Sequence, residues 1–282
     1  MAPMIKASIL RHFPWGFEHL EDEIAVERCL AIFGDGEFLG QTTRTPGQDQ
    51  ELVAGLLFTE GVIEHSLEIE NVAITPRDEL TDRADVHLAD TARTRRLAQG
   101  GGVGDRPLLR QRPLPPPGET TAPLFYLDDL ALGEMMELME DRQEIFRRTG
   151  ATHCAALFDA SGEVLAFAED IGRHNALDKI IGDALRQKTL GRGTVITISS
   201  RLSLELVKKV ARTGVAVFAG ISVATSQAVR LAESLDITLI GRVRKKSMNV
   251  YCHGYRVMKR RAPDEADELD KETIAAFKDL AN

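Results

Sequence analysis

The sequence predicts a mixed α/β protein in which a small α+β unit precedes a larger layered α/β sheet. After residue 150, short runs rich in Val, Ile and Ala alternate with amphipathic segments, the pattern of strands and helices in a layered sheet. A proline-rich run at 113–119 separates this region from the first part of the chain. The 282 residues, 43% hydrophobic and 28% charged, suffice for one large domain or two moderate ones.

The first part of the chain contains strand patterns on both sides of one helical segment. The predicted elements are strands within 22–40 around a turn at 34–36, a helix from Gln48 or Asp49 to Gly61, and short strands near 72–75 and 85–88. The helix is predicted by the spacing of its apolar residues, which are Leu52, Val53, Leu56 and Leu57. We expect these elements to form the α+β unit.

The second part of the chain predicts alternating elements. They are a helix over 127–150, two strands within 152–170 around a turn at 159–162, helices over 173–187, 202–213 and 225–235, and strands over 193–199, 215–220 and 237–241. A charged helical tail is expected from residue 262. The predicted organisation is a smaller domain at 1–112, a linker at 113–123, the larger domain at 124–256 and the tail at 257–282.

Composition excludes several classes of protein. The net charge of −8 disfavours nonspecific nucleic-acid binding. No apolar run approaches the roughly 20 residues of a membrane helix, and the first residues do not form a convincing signal peptide. The three cysteines are too few and too widely spaced to predict a disulfide framework or a zinc site. We therefore expect a cytoplasmic protein without a resident metal.

Three predicted strand-to-helix junctions, at 169–175, 199–203 and 222–226, contain hydroxyl, amide and guanidinium groups. In an open α/β sheet such junctions gather at the carboxyl ends of the strands, where ligands bind and where helix N-termini attract anions. Arg173 and Arg201 point to an anionic ligand, because helix capping does not need a guanidinium. The predicted lining residues are Arg173, His174, Asn175, Ser199, Arg201, Ser203, Thr225 and Ser226. The alternative is that these serines and threonines only cap helices.

A basic cluster follows the last predicted strand of the sheet and is expected near the same edge. Its members are Arg242, Val243, Arg244, Lys245 and Lys246. The alternative is a solvated basic surface. His174 and Asp178 lie four residues apart on one helix and form either a His–carboxylate pair or a solvated pair. Glu169 and Asp170 are either paired carboxylates or charges that stabilise the start of the next helix.

Several ordered segments resemble the FdhD/NarQ family of formate dehydrogenase accessory sulfurtransferases. The matching segments are RTPGQDQELVAGLLFTEGVI, EDIGRHNALDK, SSRLSLELVKK, SVATS, ITLIGRVR and NVY. The resemblance implies a cytidine-deaminase-like layered α/β/α domain, a homodimer, and partnership with a cysteine desulfurase and formate dehydrogenase. It also implies binding of the molybdenum bis(molybdopterin guanine dinucleotide) cofactor as a client, partly through the segment that matches Arg242 to Ser247.

The chain departs from the family pattern in the glycine-rich run at 97–109. Both positions of the family's sulfur-carrying cysteines are glycine here, Gly101 and Gly104. Glycine cannot accept or release sulfur, which requires a thiolate. The same run lacks the Lys-Ser/Thr of a phosphate-binding loop. The alternatives are therefore a cofactor-binding accessory protein without cysteine chemistry, a sulfurtransferase using Cys252 or Cys154, and a noncatalytic regulator or scaffold.

Overall fold

The computed structural model describes residues 2–93, 126–245 and 247–258. The glycine-rich run with Gly101 and Gly104, the linker at 113–123, Lys246 and most of the predicted tail lie outside the described residues. The mixed α/β class predicted from the sequence is confirmed. None of the helices in the described ranges has the length and apolar character needed to span a bilayer.

The chain begins with a two-stranded antiparallel hairpin that the sequence analysis did not predict. Strands β1 (Met4–Phe13) and β2 (Gly16–Ala25) pair along their full length and join no other sheet. At the tip, the rings of Phe13 and Trp15 stack at 4.8 Å, and Trp15 is 74% exposed. A hairpin without a third strand gains little burial of its own, which explains why its sequence shows no clear strand pattern.

The predicted α+β elements form a four-stranded sheet covered by one helix. The elements are β3 (Arg28–Gly34), β4 (Glu37–Arg44), α1 (Asp49–Thr59), β5 (Ile69–Pro76) and β6 (Thr81–Leu88), with strand order β4-β3-β6-β5. The turn between β3 and β4 has positive φ at Asp35 (51°) and Gly36 (86°), as tight hairpin turns require. Leu52, Val53 and Leu57 of α1 pack against the sheet.

The segment predicted as one helix over 127–150 is two helices, α2 (Asp129–Asp141) and α3 (Glu144–Thr149), after the short strand β7 (Leu127–Asp128). The single-helix prediction was wrong because Gln143 leaves helical geometry, with ψ of 80°. The carboxylate of Glu169 then accepts hydrogen bonds from the backbone N–H groups of Ile145 (2.9 Å) and Phe146 (2.8 Å). It caps the start of α3, a tertiary contact that helical periodicity does not reveal.

The remaining elements form a six-stranded sheet with order β13-β12-β11-β10-β8-β9. The elements are β8 (His153–Asp159), β9 (Val164–Asp170), α4 (Arg173–Arg186), β10 (Gly193–Ile198), α5 (Leu204–Ala211), β11 (Val217–Gly220), α6 (Ser226–Ser234), β12 (Thr238–Arg244), β13 (Ser247–Cys252) and β14 (Val257–Met258). Strand β14 pairs with β7, so Val257 and Met258, which the sequence analysis assigned to the tail, belong to a strand.

Apolar residues on the two faces of the large sheet form two separate cores. On one face, alternate strand residues such as Ala155 and Leu157 pack with α4, α5 and α6. On the other face, Cys154, Ala156 and Phe158 pack with the apolar side of α2. The period of two along β8 thus divides its side chains between two helical layers. The cytidine-deaminase-like assignment of this layered arrangement stays a prediction.

Helix α1 of the small sheet packs directly on α4 of the large sheet through two glycines. A Cβ atom built on Gly55 would lie 1.8 Å from the carbonyl oxygen of Asp178, and one built on Gly182 would lie 1.8 Å from that of Glu51. The backbones therefore approach more closely than any side chain allows. This contact fixes the position of α4, which begins at the candidate site.

Candidate anion-binding site

The candidate site lies at the edge of the large sheet where four parallel strands end. Strand β8 is antiparallel to both β9 and β10, whereas β10, β11 and β12 are mutually parallel. The carboxyl ends of β9, β10, β11 and β12 therefore lie at one edge, beside the start of β8. We define the rim as the loops at 171–174, 199–203 and 221–225, together with His153 and residues 242–245 at and just after the end of β12.

Hydrogen bonds join the rim segments at the end near β8, which we call the inner end. The Ser199 hydroxyl accepts a hydrogen bond from the backbone N–H of Cys154 at 2.9 Å. The same oxygen lies 3.4 Å from Nδ1 of His153. The loop after β10 is therefore fixed to the first residues of β8, which places an imidazole beside a hydroxyl.

The outer end of the rim, near β12, is joined by backbone hydrogen bonds. The N–H of Leu202 donates to the carbonyl of Val223 at 3.0 Å, and the N–H of Thr225 donates to the carbonyl of Leu202 at 3.0 Å. The N–H of Arg242 donates to the carbonyl of Ser222 at 2.9 Å. The three junctions predicted from the sequence are thus neighbours in one continuous rim.

Four guanidinium groups of the rim have no acidic partner within the described residues: those of Arg173, Arg201, Arg242 and Arg244. Arg201, Arg242 and Arg244 are exposed. Arg244 and Arg242 line a surface cleft of about 640 Å³ with Ser222 and Ser247. Arg242 has a φ of 49°, a left-handed conformation that is unusual for a residue other than glycine and accompanies the irregular pairing of β12 with β13. The four guanidinium groups without described acidic partners favour an anionic ligand at the rim.

Two buried polar atoms of the rim lack a hydrogen-bond partner within the part of the chain described. They are Nε of Arg173 and Oγ of Ser203. Ser203 occupies the N-cap position of α5, yet its side chain makes no capping hydrogen bond. An unpaired buried polar group costs free energy, and native structures usually pair such groups with protein, water or ligand. Both atoms are enclosed by protein, so the guanidinium of Arg173 and the hydroxyl of Ser203 are incompletely paired within the described residues.

Two histidines beside Arg173 are held in their neutral form. Burial, and then the charge of Arg173, lower the pKa of His153. Burial, and then the charges of Arg173 and Lys209, lower the pKa of His174, although Asp178 and Glu205 act in the opposite direction. At neutral pH the rim therefore presents neutral imidazoles together with permanently charged guanidinium groups.

The model of the FdhD/NarQ family matches residues 25–258 of this chain. The chain belongs to the FdhD/NarQ family. Curated relatives are named sulfur carrier protein FdhD. The one from Anaeromyxobacter dehalogenans strain 2CP-1 is 37% identical over 264 residues, covering 84% of this chain and 89% of the relative. The one from Sulfolobus acidocaldarius is 34% identical over 238 residues, covering 84% of this chain and 92% of the relative.

A solved structure shares the fold of this FdhD/NarQ chain. It is described as the crystal structure of a putative formate dehydrogenase accessory protein from Desulfotalea psychrophila. The TM-score is 0.73 at 22% sequence identity, with 91% of this chain and 100% of that chain covered. At this identity the similarity supports the α/β architecture, and the residues of the site must be assessed from the present chain.

Much of the EDIGRHNALDK motif of this FdhD/NarQ chain is structural. Nζ of Lys179 lies 2.8 Å from the Asp170 carboxylate and donates to the carbonyl of Thr45 at 2.9 Å. The Asp170 carboxylate also accepts from the backbone N–H of Thr45 at 3.2 Å. Lys179 is 1% exposed and Asp170 is 0% exposed. This pair joins the end of β9 to the segment between β4 and α1, a role that the sequence analysis did not predict.

Asn175 was predicted to line the site, but the structure places its side chain inside the same contact. It is 5% exposed, and its amide donates to the carbonyl of Thr43 (2.7 Å) and to the Asp170 carboxylate (3.1 Å). Its amide oxygen accepts from the Thr42 hydroxyl at 2.9 Å. Asn175 thus holds the start of α4 in place and has little left to offer a ligand.

The other predicted residues of this FdhD/NarQ chain divide between the rim and the fold. The side chain of Val243 is buried in the core, whereas Ser226 and Lys245 are exposed. Nζ of Lys245 lies 3.3 Å from Oε2 of Glu137. The Thr225 hydroxyl caps α6, as the alternative interpretation expected. Ser247 lines the cleft at the outer end of the rim.

Asp178 does not act as the sole partner of His174. Its carboxylate accepts hydrogen bonds from Nζ of Lys209, at 2.9 and 3.0 Å, and from the Thr59 hydroxyl at 2.8 Å. Asp178 is 1% exposed and Lys209 is 9% exposed. This buried ion pair joins α1, α4 and α5, and the last two of these helices begin at the rim.

The three cysteines of this FdhD/NarQ chain lie in surroundings that favour the thiol over the thiolate. Burial raises the pKa of Cys154 to about 12 and that of Cys252 to about 11. Burial also raises the pKa of Cys29. Cys252, proposed from the sequence as an alternative sulfur carrier, donates through Sγ to the carbonyl of Ile237 at 3.3 Å. None of these thiols has the lowered pKa that marks a reactive cysteine.

Proposed function

We propose that this FdhD/NarQ family member is a formate dehydrogenase accessory protein that binds the molybdenum bis(molybdopterin guanine dinucleotide) cofactor at the rim. The observation that carries the proposal is the row of four guanidinium groups without described acidic partners at one sheet edge, one of them with an unpaired buried Nε. The phosphates of a dinucleotide cofactor are the ligand chemistry that such groups prefer.

The residues of the rim fit the anionic ends of this cofactor. Arg242 and Arg244 would bind phosphate at the outer end, where Ser222 and Ser247 supply hydroxyl groups. Arg173 would bind charge at the inner end. The cofactor itself supplies the molybdenum chemistry when bound, and the contribution of this chain is to bind and orient its nucleotide ends. Further partners proposed from the family are a second copy of the chain and formate dehydrogenase, in the cytoplasm.

We further propose that this chain does not carry sulfur on a cysteine. Gly101 and Gly104 occupy the positions of the family's loop cysteines, and burial keeps Cys154 and Cys252 protonated near neutral pH. A cysteine desulfurase would therefore find no reactive thiolate to load. The proposed role is to bind the cofactor and assist its insertion, while sulfur arrives by another carrier.

The test of cofactor binding is a calorimetric titration of GDP, a fragment of the cofactor, into the full-length protein. Wild type should bind GDP, and Arg242→Ala should weaken binding about tenfold or more, because a charge-assisted contact to phosphate is lost. The matched control is Arg192→Ala, which removes an exposed arginine paired with Asp159 and Glu163 at the opposite edge of the sheet. Absence of GDP binding, or equal loss in both variants, would contradict the proposal.

A second candidate function is a noncatalytic scaffold in molybdenum-enzyme maturation. The β1–β2 hairpin favours it, because nearly all of the hairpin precedes the residues matched by the family model, and it exposes Trp15 (74%) and Phe17 (66%). Large exposed aromatic residues are typical of protein contacts. Deleting residues 4–25 should abolish copurification with a maturation partner and leave GDP affinity unchanged if the hairpin is a docking element.

Expression of this chain in cells that lack their own FdhD/NarQ protein tests whether the chain itself can transfer sulfur. Wild type alone should not restore formate dehydrogenase activity, whereas the variant carrying both Gly101→Cys and Gly104→Cys should restore part of it. Full rescue by the wild-type chain would contradict a role without sulfur transfer.

A further inference from the structure

The tail of the chain contains one strongly acidic stretch. Residues 259–282 follow the last described strand and lie outside the part of the chain that the family model matches. The tail begins with three basic residues at 259–261, and five of the seven residues in the stretch DEADELD at 264–270 are acidic. We call residues 264–270 the acidic segment. A block of like charge of this kind is typical of a segment that binds an oppositely charged surface.

The outer end of the rim presents such a surface. Arg242 and Arg244 are exposed, line the cleft of about 640 Å³, and have no acidic partner among the described residues. Nη1 of Arg244 donates to the backbone carbonyls of Ile221 (3.1 Å) and Val243 (2.7 Å). These hydrogen bonds orient the guanidinium of Arg244 but leave its positive charge without a counter-ion in the described part of the chain.

The tail begins close to this end of the rim. Strand β14 pairs in parallel with β7, so that Met258 lies opposite Asp128, the residue before α2. In the second turn of α2, a Cβ atom built on Gly133 would lie 3.3 Å from Cα of Lys245. With about 4.8 Å between paired strands and about 1.5 Å of rise per helical residue, Met258 lies within about 20 Å of Lys245.

The length of the tail and the order of its charges fit a contact with the rim. An extended chain spans about 3.3 Å per residue, so the acidic segment starts within about 20 Å of Met258 and its centre reaches about 30 Å. The basic residues at 259–261 are confined by the same arithmetic to the neighbourhood of Asp128 and Asp129, at the acidic start of α2. Each block of the tail can therefore reach a surface of opposite charge.

We propose that the acidic segment binds Arg242 and Arg244 within the same chain and competes there with an anionic ligand. The inference rests on the proposed function, because the tail and the cofactor would need the same two guanidinium groups. Exposed ion pairs are individually weak, but the short connection to β14 gives the segment a high effective concentration at the rim. The tail therefore lowers the affinity for the ligand without preventing its binding.

Calorimetric titration of GDP into full-length protein tests the competition. The neutralised variant carries Asp264→Asn, Glu265→Gln, Asp267→Asn, Glu268→Gln and Asp270→Asn. It should bind GDP about fivefold more tightly than wild type, because apparent affinity scales with the fraction of molecules whose binding site is open. The difference should disappear near 1 M salt, where the Debye length is about 3 Å. The matched control, Glu272→Gln with Asp279→Asn, neutralises the other two acidic residues of the tail and should behave as wild type.

Carbodiimide cross-linking tests the contact without GDP. The reagent joins a lysine amine to a carboxylate that touches it, and mass spectrometry should find Lys245 linked to the acidic segment in wild type. Combining Arg242→Gln with Arg244→Gln should remove most of this link. The link from Lys245 to Glu137, whose side chains lie 3.3 Å apart, is the internal control and should persist. Thermal unfolding checks the fold of each variant, and a mixture of ¹⁵N-labelled and unlabelled protein shows whether a link lies within one chain.

The two measurements separate failure of the tail contact from failure of the proposed function. A link within one chain that depends on the two arginines, with tighter GDP binding by the neutralised variant, supports the proposal. The same link without any GDP binding would support the tail contact and contradict the proposed function. Equal GDP affinity of wild type and neutralised variant, without a link to the acidic segment, would overturn the tail contact and leave the proposed function standing. Links found only between labelled and unlabelled chains would overturn a contact within one chain.

Discussion

The contact between α1 and α4 makes Gly182→Ala a sharp test of how the site is positioned. In an ordinary helix this substitution stabilises, because alanine has the higher helix propensity by about 1 kcal/mol. Here the new Cβ atom would lie 1.8 Å from the carbonyl oxygen of Glu51 and 2.6 Å from the backbone nitrogen of Gly55. Both are backbone atoms, so no side chain can rotate away to relieve the overlap.

The size of the effect follows from the distance that the helices must move. Separation by about 1.2 Å is needed to bring the contact between the new Cβ and the Glu51 carbonyl oxygen to 3.0 Å, the lower bound for real Cβ contacts. Overpacking of this kind costs about 1–3 kcal/mol or more. Because a change of 1 kcal/mol shifts the Tm of a protein of this size by about 2–4 °C, we expect the Tm to fall by about 2–12 °C.

Thermal unfolding followed by circular dichroism measures this change. The matched control is Gly191→Ala, at a glycine whose added Cβ would meet no atom within 4 Å and which lacks a positive φ. The control should stay within about 1 °C of wild type. Since α4 begins with Arg173, GDP affinity should fall in Gly182→Ala as well. A Tm for Gly182→Ala equal to that of Gly191→Ala would refute the close packing of α1 on α4.

Four further outcomes follow from the structure. Asp178→Asn should lower the free energy of unfolding by about 3 kcal/mol in urea titrations, because buried Lys209 loses the nearer of its two acidic partners and keeps only Glu60, at 3.4 Å. Persulfide loading of wild type, measured by mass spectrometry, should stay at background; loading abolished by Cys252→Ser would reveal a reactive thiol. Hydrogen bonds from Ser161 lower the pKa of Asp159 from the ordinary value of about 3.9 to about 2. The Asp159 carboxylate therefore stabilises the fold above about pH 4, and this stabilisation is lost as the pH falls toward 2. Over that pH range, the free energy of unfolding of Asp159→Asn should change less than that of wild type. GDP affinity should rise as the pH falls below the ordinary histidine pKa of about 6.5, because burial lowers the pKa of His174 and a bound phosphate would favour its protonated form; His174→Gln should reduce this dependence.

Sequence periodicity was sufficient to predict most elements of the large sheet. The β-branched strands and amphipathic helices after residue 150 alternate clearly, and the parallel strands that follow brought the junctions at 169–175, 199–203 and 222–226 to one edge, as expected. The register and order of the strands depend on contacts between distant segments. Periodicity within each segment contains no information about them.

Tertiary contacts account for what the sequence analysis missed. Asn175 has the residue type of a ligand-binding side chain, and only the approach of Thr43 shows that its amide is already occupied. A signal was present for the helix contact, since a glycine such as Gly182 inside an amphipathic helix usually has a packing reason. The N-terminal hairpin offered no comparable signal, because its residues such as Ile5 (53% exposed) are not buried in a core.

Native mass spectrometry of the protein purified from its own host tests the central claim most directly. We expect a copurified ligand that contains a guanine nucleotide, retained by Arg192→Gln and lost when Arg173→Gln and Arg242→Gln are combined. Wild-type protein without a nucleotide ligand, or a ligand retained equally by that double variant, would contradict binding at the rim.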